Sequence, residues 1–259
     1  MQEDLSKISI YSKLESHSGP CLIDKSGNVL EYSQMKDICS TFRNQFANMQ
    51  IVSGSVFGIV LPNGINMAKC FLALANYVKA APLNPNYTEE EFIFYLEDLE
   101  CKYLVTDESA SNNLKNAVKK TNTKLLLIET DEGNNSLRLK SIDATENLAF
   151  KPNFNNDQCL ILHTSGTTSK PKQVQLSTKN ILSSASNIVN TLHLSKADRG
   201  LNIMPLFHIH GLIASLLSSV FSGGCLVCTE GFNALSFFSQ IKTFKPTWIT
   251  AVPTMYQAL

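Results

Sequence analysis

The chain has 259 residues, balances 22 Lys+Arg against 22 Asp+Glu, and is 44% hydrophobic and 17% charged. That balance excludes a disordered, charge-rich chain and the net cationic footprint that a nucleic-acid backbone demands. Seven cysteines, an odd count in a chain long enough to bury a core without staples, exclude a small disulfide scaffold.

With polar residues at 1–4 and no apolar run after them, no signal peptide is expected. The longest apolar stretch, 209–221, carries Ser215, Ser218 and Ser219 and is shorter than the roughly 20 residues of a bilayer-crossing helix. We therefore expect a reduced, cytoplasmic protein with no transmembrane segment.

In chain order, Tyr32, Met35, Ile38, Cys39, Phe42, Phe46 and Met49 trace one helical face, with Ser33 as the expected N-cap. A buried strand is predicted over 55–61. A helix follows on Ile65, Ala68, Phe71, Leu72 and Ala75, then a short strand over 80–83. Thr88 and Glu91 form a capping box for a helix reaching Leu99. A strand at 103–106, a helix at 112–120 and a strand at 124–128 come next. The polar, Asn-rich stretch 130–157 reads as a surface connection with one short strand near 137–139.

Strands are then predicted at 158–163 and 172–176. Ser177 opens a helix whose face is Ile181, Leu182, Ala185, Ile188, Val189 and Leu192. Strands at 201–204, 225–228 and 247–251 alternate with helices near 212–221 and 234–244. Such alternation predicts an α/β fold of layered, parallel-rich sheets with flanking helices. The polar connection divides it into residues 1–157 and 158–259. The sequence stops inside a helix predicted from Pro253, which reads as a truncation.

The densest chemical signal is Thr164-Ser165-Gly166-Thr167-Thr168-Ser169-Lys170-Pro171-Lys172, between two predicted strands. A Ser/Thr/Gly cluster by itself is an ordinary surface loop. This ordered string is a polyphosphate cradle by composition. Hydroxyls and backbone N–H groups donate to phosphate oxygens, Gly166 allows a tight turn, and Lys172 returns a cation along the next strand. It is not a Walker loop, which needs G-x-x-x-x-G-K-[ST] opening a helix, and no G-x-G-x-x-G occurs. His17 and His193 read as surface residues, Trp248 as buried. Cys225 and Cys228 have metal-like spacing, but on a strand residues three apart point to opposite faces, so no metal ligand is assigned.

The string resembles the signature loop of the adenylate-forming superfamily. A second segment agrees, Met204-Pro205-Leu206-Phe207-His208-Ile209-His210-Gly211-Leu212, similar to the proline–aromatic–histidine–glycine segment beside that family's acyl pocket. Ala81-Pro82-Leu83-Asn84-Pro85 and Thr250-Ala251-Val252-Pro253-Thr254 agree more weakly. His163, Ser169, the His208/His210 pair and Leu216-Leu217-Ser218-Ser219 look like the oxalate–CoA ligase branch, close to 4-coumarate–CoA ligases.

The resemblance implies the N-terminal portion of the large domain of such an enzyme, with strands of one subdomain completing the other. It implies ATP-dependent activation of a carboxylic acid as an acyl-adenylate and transfer to CoA, with Mg2+ accompanying ATP. Thr164, Ser165, Gly166, Thr167, Thr168 and Lys172 would then contact ATP phosphates. His208 would sit by the acyl group as the catalytic candidate, with His210 in support.

Two residues depart from the pattern. Ser169 stands for a usual second glycine. Gln173 stands for another, and would strain the loop if backbone freedom is needed there. The family's Tyr-Gly-x-Thr-Glu and Thr-Gly-Asp segments and its small C-terminal domain are missing, so the chain is expected to be inactive alone and to expose apolar surface suited to a dimer. A non-catalytic paralogue serving as a binding module, and a peptide-synthetase adenylation domain, stay open as alternatives.

Overall fold

The computed structural model describes residues 8–52, 54–131, 133, 135–140, 158–164 and 171–259. The chain runs α1 (Ile10–Glu15), β1 (Pro20–Ile23), β2 (Val29–Glu31), α2 (Tyr32–Asn48), β3 (Val56–Ile59), α3 (Ile65–Leu74) and β4 (Lys79–Pro82). It continues through α4 (Glu89–Asp98), β5 (Tyr103–Thr106), α5 (Asn112–Lys120), β6 (Lys124–Asp131), β7 (Ser136–Leu139), β8 (Leu160–Thr164) and β9 (Lys172–Leu176). The last part holds α6 (Thr178–Leu192), β10 (Arg199–Asn202), a π-helix (His210–Leu217), α7 (Ser218–Ser222), β11 (Cys225–Cys228), α8 (Ala234–Phe244), β12 (Trp248–Ile249) and α9 (Pro253–Gln257).

Two compact units result. One comprises 37–62 and 69–178, the other 1–36, 63–68 and 179–259. This differs from the division at 157/158 read from the sequence, because strand pairing ignores the polar connection. β8 pairs with β4 and so joins the first unit, whereas β1 pairs with β11 and carries the N-terminus into the second.

The first unit holds a seven-stranded sheet in the order β7-β6-β5-β3-β4-β8-β9 among the described residues. Its centre is parallel, as the alternation predicts. The edge strands β7 and β9 are antiparallel to their neighbours, because the connections preceding them are too short for a parallel crossover. The capping box of α4 forms as predicted. Thr88 Oγ1 accepts from Glu91 N at 3.2 Å, and Glu91 Oε2 accepts from Thr88 N at 2.8 Å. Phe92 and Leu96 of that helix pack with Leu104 of β5 and Leu114 of α5 in one buried cluster.

The second unit holds a five-stranded sheet, β12-β10-β11-β1-β2, with Ile23, Leu201, Val227, Phe237 and Phe244 in its core. β11 is wholly buried, so Cys225 and Cys228 are core residues there. All seven cysteines are buried free thiols.

Several local expectations need correction. Helix α2 starts at Tyr32, which places Ser33 inside the first turn rather than at the cap. His17 is half-buried, its ring 5.5 Å from that of Tyr32, because the chain folds back after α1. Trp248 is half-buried, not buried, because β12 is a sheet edge. The helix expected over 212–221 is a π-helix followed by α7. Ser218 N donates to Ile213 O, five residues back. His193 is exposed, as expected.

Candidate active site

β8 and β9 form an antiparallel hairpin whose last rung pairs Thr164 with Lys172. Ser165, Gly166, Thr167 and Thr168 lie outside the described residues. The structure thus brings together the two ends of the candidate cradle. Thr164 and Lys172 are both exposed, and Thr164 Oγ1 donates to Lys172 O at 3.5 Å. Thr164 stands at the carboxyl end of a strand in a parallel-rich sheet, where ligands of open α/β sheets bind. A hydroxyl and an ammonium at one mouth are donors of the kind a polyphosphate takes, so the residues present fit that group.

Gln173 does not strain the stem. It lies in the regular ladder opposite His163 and is absent from the positive-φ positions. Its amide donates to the main-chain oxygen of Asp98 and, at 3.0 Å, to Asp98 Oδ2. His163 Nε2 lies 2.9 Å from the same carboxylate oxygen, and its ring meets Tyr95 edge-on at 4.7 Å. Sequence reasoning missed Asp98. The signal was there in part, since His163 and Gln173 occupy facing positions once the hairpin is drawn.

His208 lies in the second unit, beyond the carboxyl end of β10. Asn63 holds the segment leading to it: Nδ2 donates to Thr229 O at 3.1 Å and Met204 O at 3.4 Å, and Oδ1 accepts from Leu206 N at 2.8 Å. Asn202 Nδ2 adds a bond to Met204 O at 3.0 Å. Nothing in the sequence pointed to Asn63, because its partners lie far along the chain.

The turn also explains Gly211. A Cβ there would lie 2.3 Å from Pro205 O. His208 is exposed overall, but its ring lies 4.4 Å from that of Phe207, so part of it is shielded from water. Partial burial lowers its pKa from the ordinary value, which keeps the imidazole neutral at pH 7 with one donor and one acceptor nitrogen. His210 Nε2 pairs with Thr250 Oγ1 at 2.5 Å, which ties the π-helix to the segment after β12. A half-buried histidine so engaged is suited to a supporting role.

The AMP-binding enzyme family profile matches residues 15–259. The chain belongs to that family. A probable CoA ligase of Humulus lupulus is 35% identical over 240 residues, covering 89% of this chain and 45% of its own. An oxalate–CoA ligase of Arabidopsis thaliana is 36% identical over 215 residues, covering 81% of this chain and 42% of its own. Among solved structures, o-succinylbenzoate CoA synthetase from Bacillus subtilis, in complex with its acyl-adenylate intermediate, superposes with a TM-score of 0.76 at 25% identity. The match covers 99% of this chain and 63% of that one. The fold is therefore that of the adenylate-forming enzymes. The chain spans about half the length of the curated relatives it matches.

No helix among the described residues is long and apolar enough to cross a membrane. Nor do the described residues contain a cluster of three or more His, Cys, Asp or Glu able to hold a metal ion.

Proposed function

We propose that this AMP-binding chain serves ATP-dependent acid–CoA ligation. In the first half-reaction a substrate carboxylate oxygen attacks the α-phosphorus of ATP, the bond to the β-phosphate oxygen breaks, and pyrophosphate leaves with the electron pair. In the second, the CoA thiol loses its proton, attacks the activated carbonyl and expels AMP.

The observation that carries this reading is the β8–β9 hairpin, which sets Thr164 and Lys172 at the two ends of the hydroxyl-rich loop. Thr164, Ser165, Thr167 and Thr168 donate hydroxyls, Gly166 a main-chain N–H, and Lys172 a cation to the phosphates, which stabilises charge on the leaving pyrophosphate. Magnesium enters with ATP as a counter-ion to the phosphates, and no residue is assigned to it. His208, neutral, orients the acyl group by a hydrogen bond. A small acid is the expected substrate, and oxalate is the first to assay, because a relative of that name is 36% identical. The complete two-step reaction is placed in a protein of the relatives' full length.

The test is carboxylate-dependent exchange of radiolabelled pyrophosphate into ATP. It uses the 259-residue chain and the longest product of its reading frame, with oxalate and a panel of short acids. Exchange by the longer product supports the reading. Failure of both forms to exchange with any acid, together with failure to bind ATP in calorimetry, refutes it.

A further inference from the structure

We propose that Asp98 is a positioning residue for the phosphate loop: through His163 and Gln173 it clamps the stem of the β8–β9 hairpin to the end of α4. This rests on the nucleotide reading of the loop given above. Support from the sheet is thin near the loop. β9 is an edge strand, and β8 joins β4 at its first residue, with Leu160 opposite Ala80. Among the described residues that is the one β4–β8 rung, so His163 and Thr164 run on beyond the ladder on that side. Two strands joined mainly to each other can swing as a unit about their base.

The clamp acts where that swing would be largest. His163 and Gln173 face each other on the rung next to Thr164–Lys172, the rung that borders the loop. Both side chains bond the same oxygen of Asp98, at 2.9 Å and 3.0 Å, and Gln173 also reaches the Asp98 main-chain oxygen. The His163 side chain is 6% exposed and the Asp98 side chain 36%, so the imidazole is held by the fold while the carboxylate keeps one side to water. The far end of the clamp is firm. α4 is fixed by its capping box, and Tyr95 stacks on Tyr87 with ring centroids 4.6 Å apart.

The arrangement gives Gln173 a purpose that its sequence position did not suggest. A glycine there would leave the rung with one tie instead of two. The carboxylate also sits at the C-terminal end of a helix, where a negative charge is unfavourable by itself. A position that accepts this disadvantage while satisfying two donors is better explained by the hairpin than by the helix.

The test uses the 259-residue protein with Asp98→Ala, Asp98→Asn and His163→Phe. Amide hydrogen exchange over 160–164 and 171–176 reads the clamp without ligand, and calorimetric titration with ATP reads its consequence. Asp98→Ala removes both side-chain ties and is expected to raise hairpin exchange and to weaken ATP about tenfold, as if one phosphate contact of the loop were misplaced, with α5 and β5 as protected as before. Asp98→Asn keeps an oxygen in place to accept both bonds and is expected to restore both readouts. His163→Phe, which keeps the ring against Tyr95, is expected to fall between them.

Unchanged hairpin exchange in Asp98→Ala overturns the clamp. Raised exchange with unchanged ATP affinity overturns its role in positioning. If Asp98→Ala loses protection throughout, His163→Phe decides by the same two readouts. If neither the 259-residue protein nor the longest product of its reading frame binds ATP, the nucleotide reading fails, and with it the positioning role, while the exchange data still judge the clamp; if only the longer product binds ATP, the same three variants are titrated in it.

Discussion

Replacing Gly211 by alanine separates local helical preference from tertiary contact. In an ordinary helix Gly→Ala stabilises by about 1 kcal/mol, because alanine loses less backbone entropy. Here the added Cβ meets Pro205 O at 2.3 Å and Pro205 C at 2.9 Å, and both are backbone atoms that no rotamer change can move. Overpacking a tight site costs about 1–3 kcal/mol, and a clash with main chain belongs at or above the upper end. The clash therefore wins, leaving a net loss of about 2 kcal/mol or more after the helical gain. For a chain of this size that lowers the Tm by roughly 4–8 °C or more. Thermal and urea unfolding followed by circular dichroism would measure it, with Ala214→Gly in the same π-helix as the comparison, expected to lose about 1 kcal/mol. A Gly211→Ala protein as stable as the wild type, or more so, would refute the close approach of the π-helix to the Pro205 turn.

Three further outcomes are expected. Lys172→Ala should weaken ATP binding by about 10–100-fold in calorimetry, the range for one bond between charged groups; an unchanged affinity would remove Lys172 from the cradle. The His208 imidazole should titrate in NMR with a midpoint below about 6.5, since burial disfavours its charged form. The unfolded chain then takes the proton first, so the stability this group contributes is whole above about 6.5 and is lost as pH falls through the folded value; a midpoint at or above 6.5 contradicts this. Finally, burial raises the Cys159 thiol to about 11 and the Cys101 thiol to about 12. A thiol reagent at pH 8 should label none of the seven cysteines before unfolding and all of them after it; rapid labelling of the native protein would show the interior to be open.

Much of this protein was legible along the chain. α5 and β5 fall where periodicity placed them, and the Thr88–Glu91 box forms atom for atom, because a helix start depends on groups three residues apart. The two strands that flank the hydroxyl-rich string were legible too, and they pair as a hairpin that joins Thr164 to Lys172. Ser33 misled because a good capping residue also fits a first turn, and the chain entering from β2 set the start one residue earlier.

Sequence alone determined the α/β class, since the alternation of strands and helices is written in short spacings; it offered the phosphate-loop residues and the histidine of the Pro205 turn as candidates. Tertiary structure decided that β1 lies against β11, about two hundred residues away, and that each unit is assembled from separate stretches of the chain rather than divided at the polar connection. It decided that Asn63 bonds the Met204–Leu206 turn and that His163 and Gln173 share one oxygen of Asp98. It also made the segment after Gly211 a π-helix. Periodicity reports which face of an element is buried, but it is silent on what buries it. Partners across a sheet or a turn are chosen by packing and by the need to satisfy buried polar groups, and both act through space between residues with no local relation in the chain.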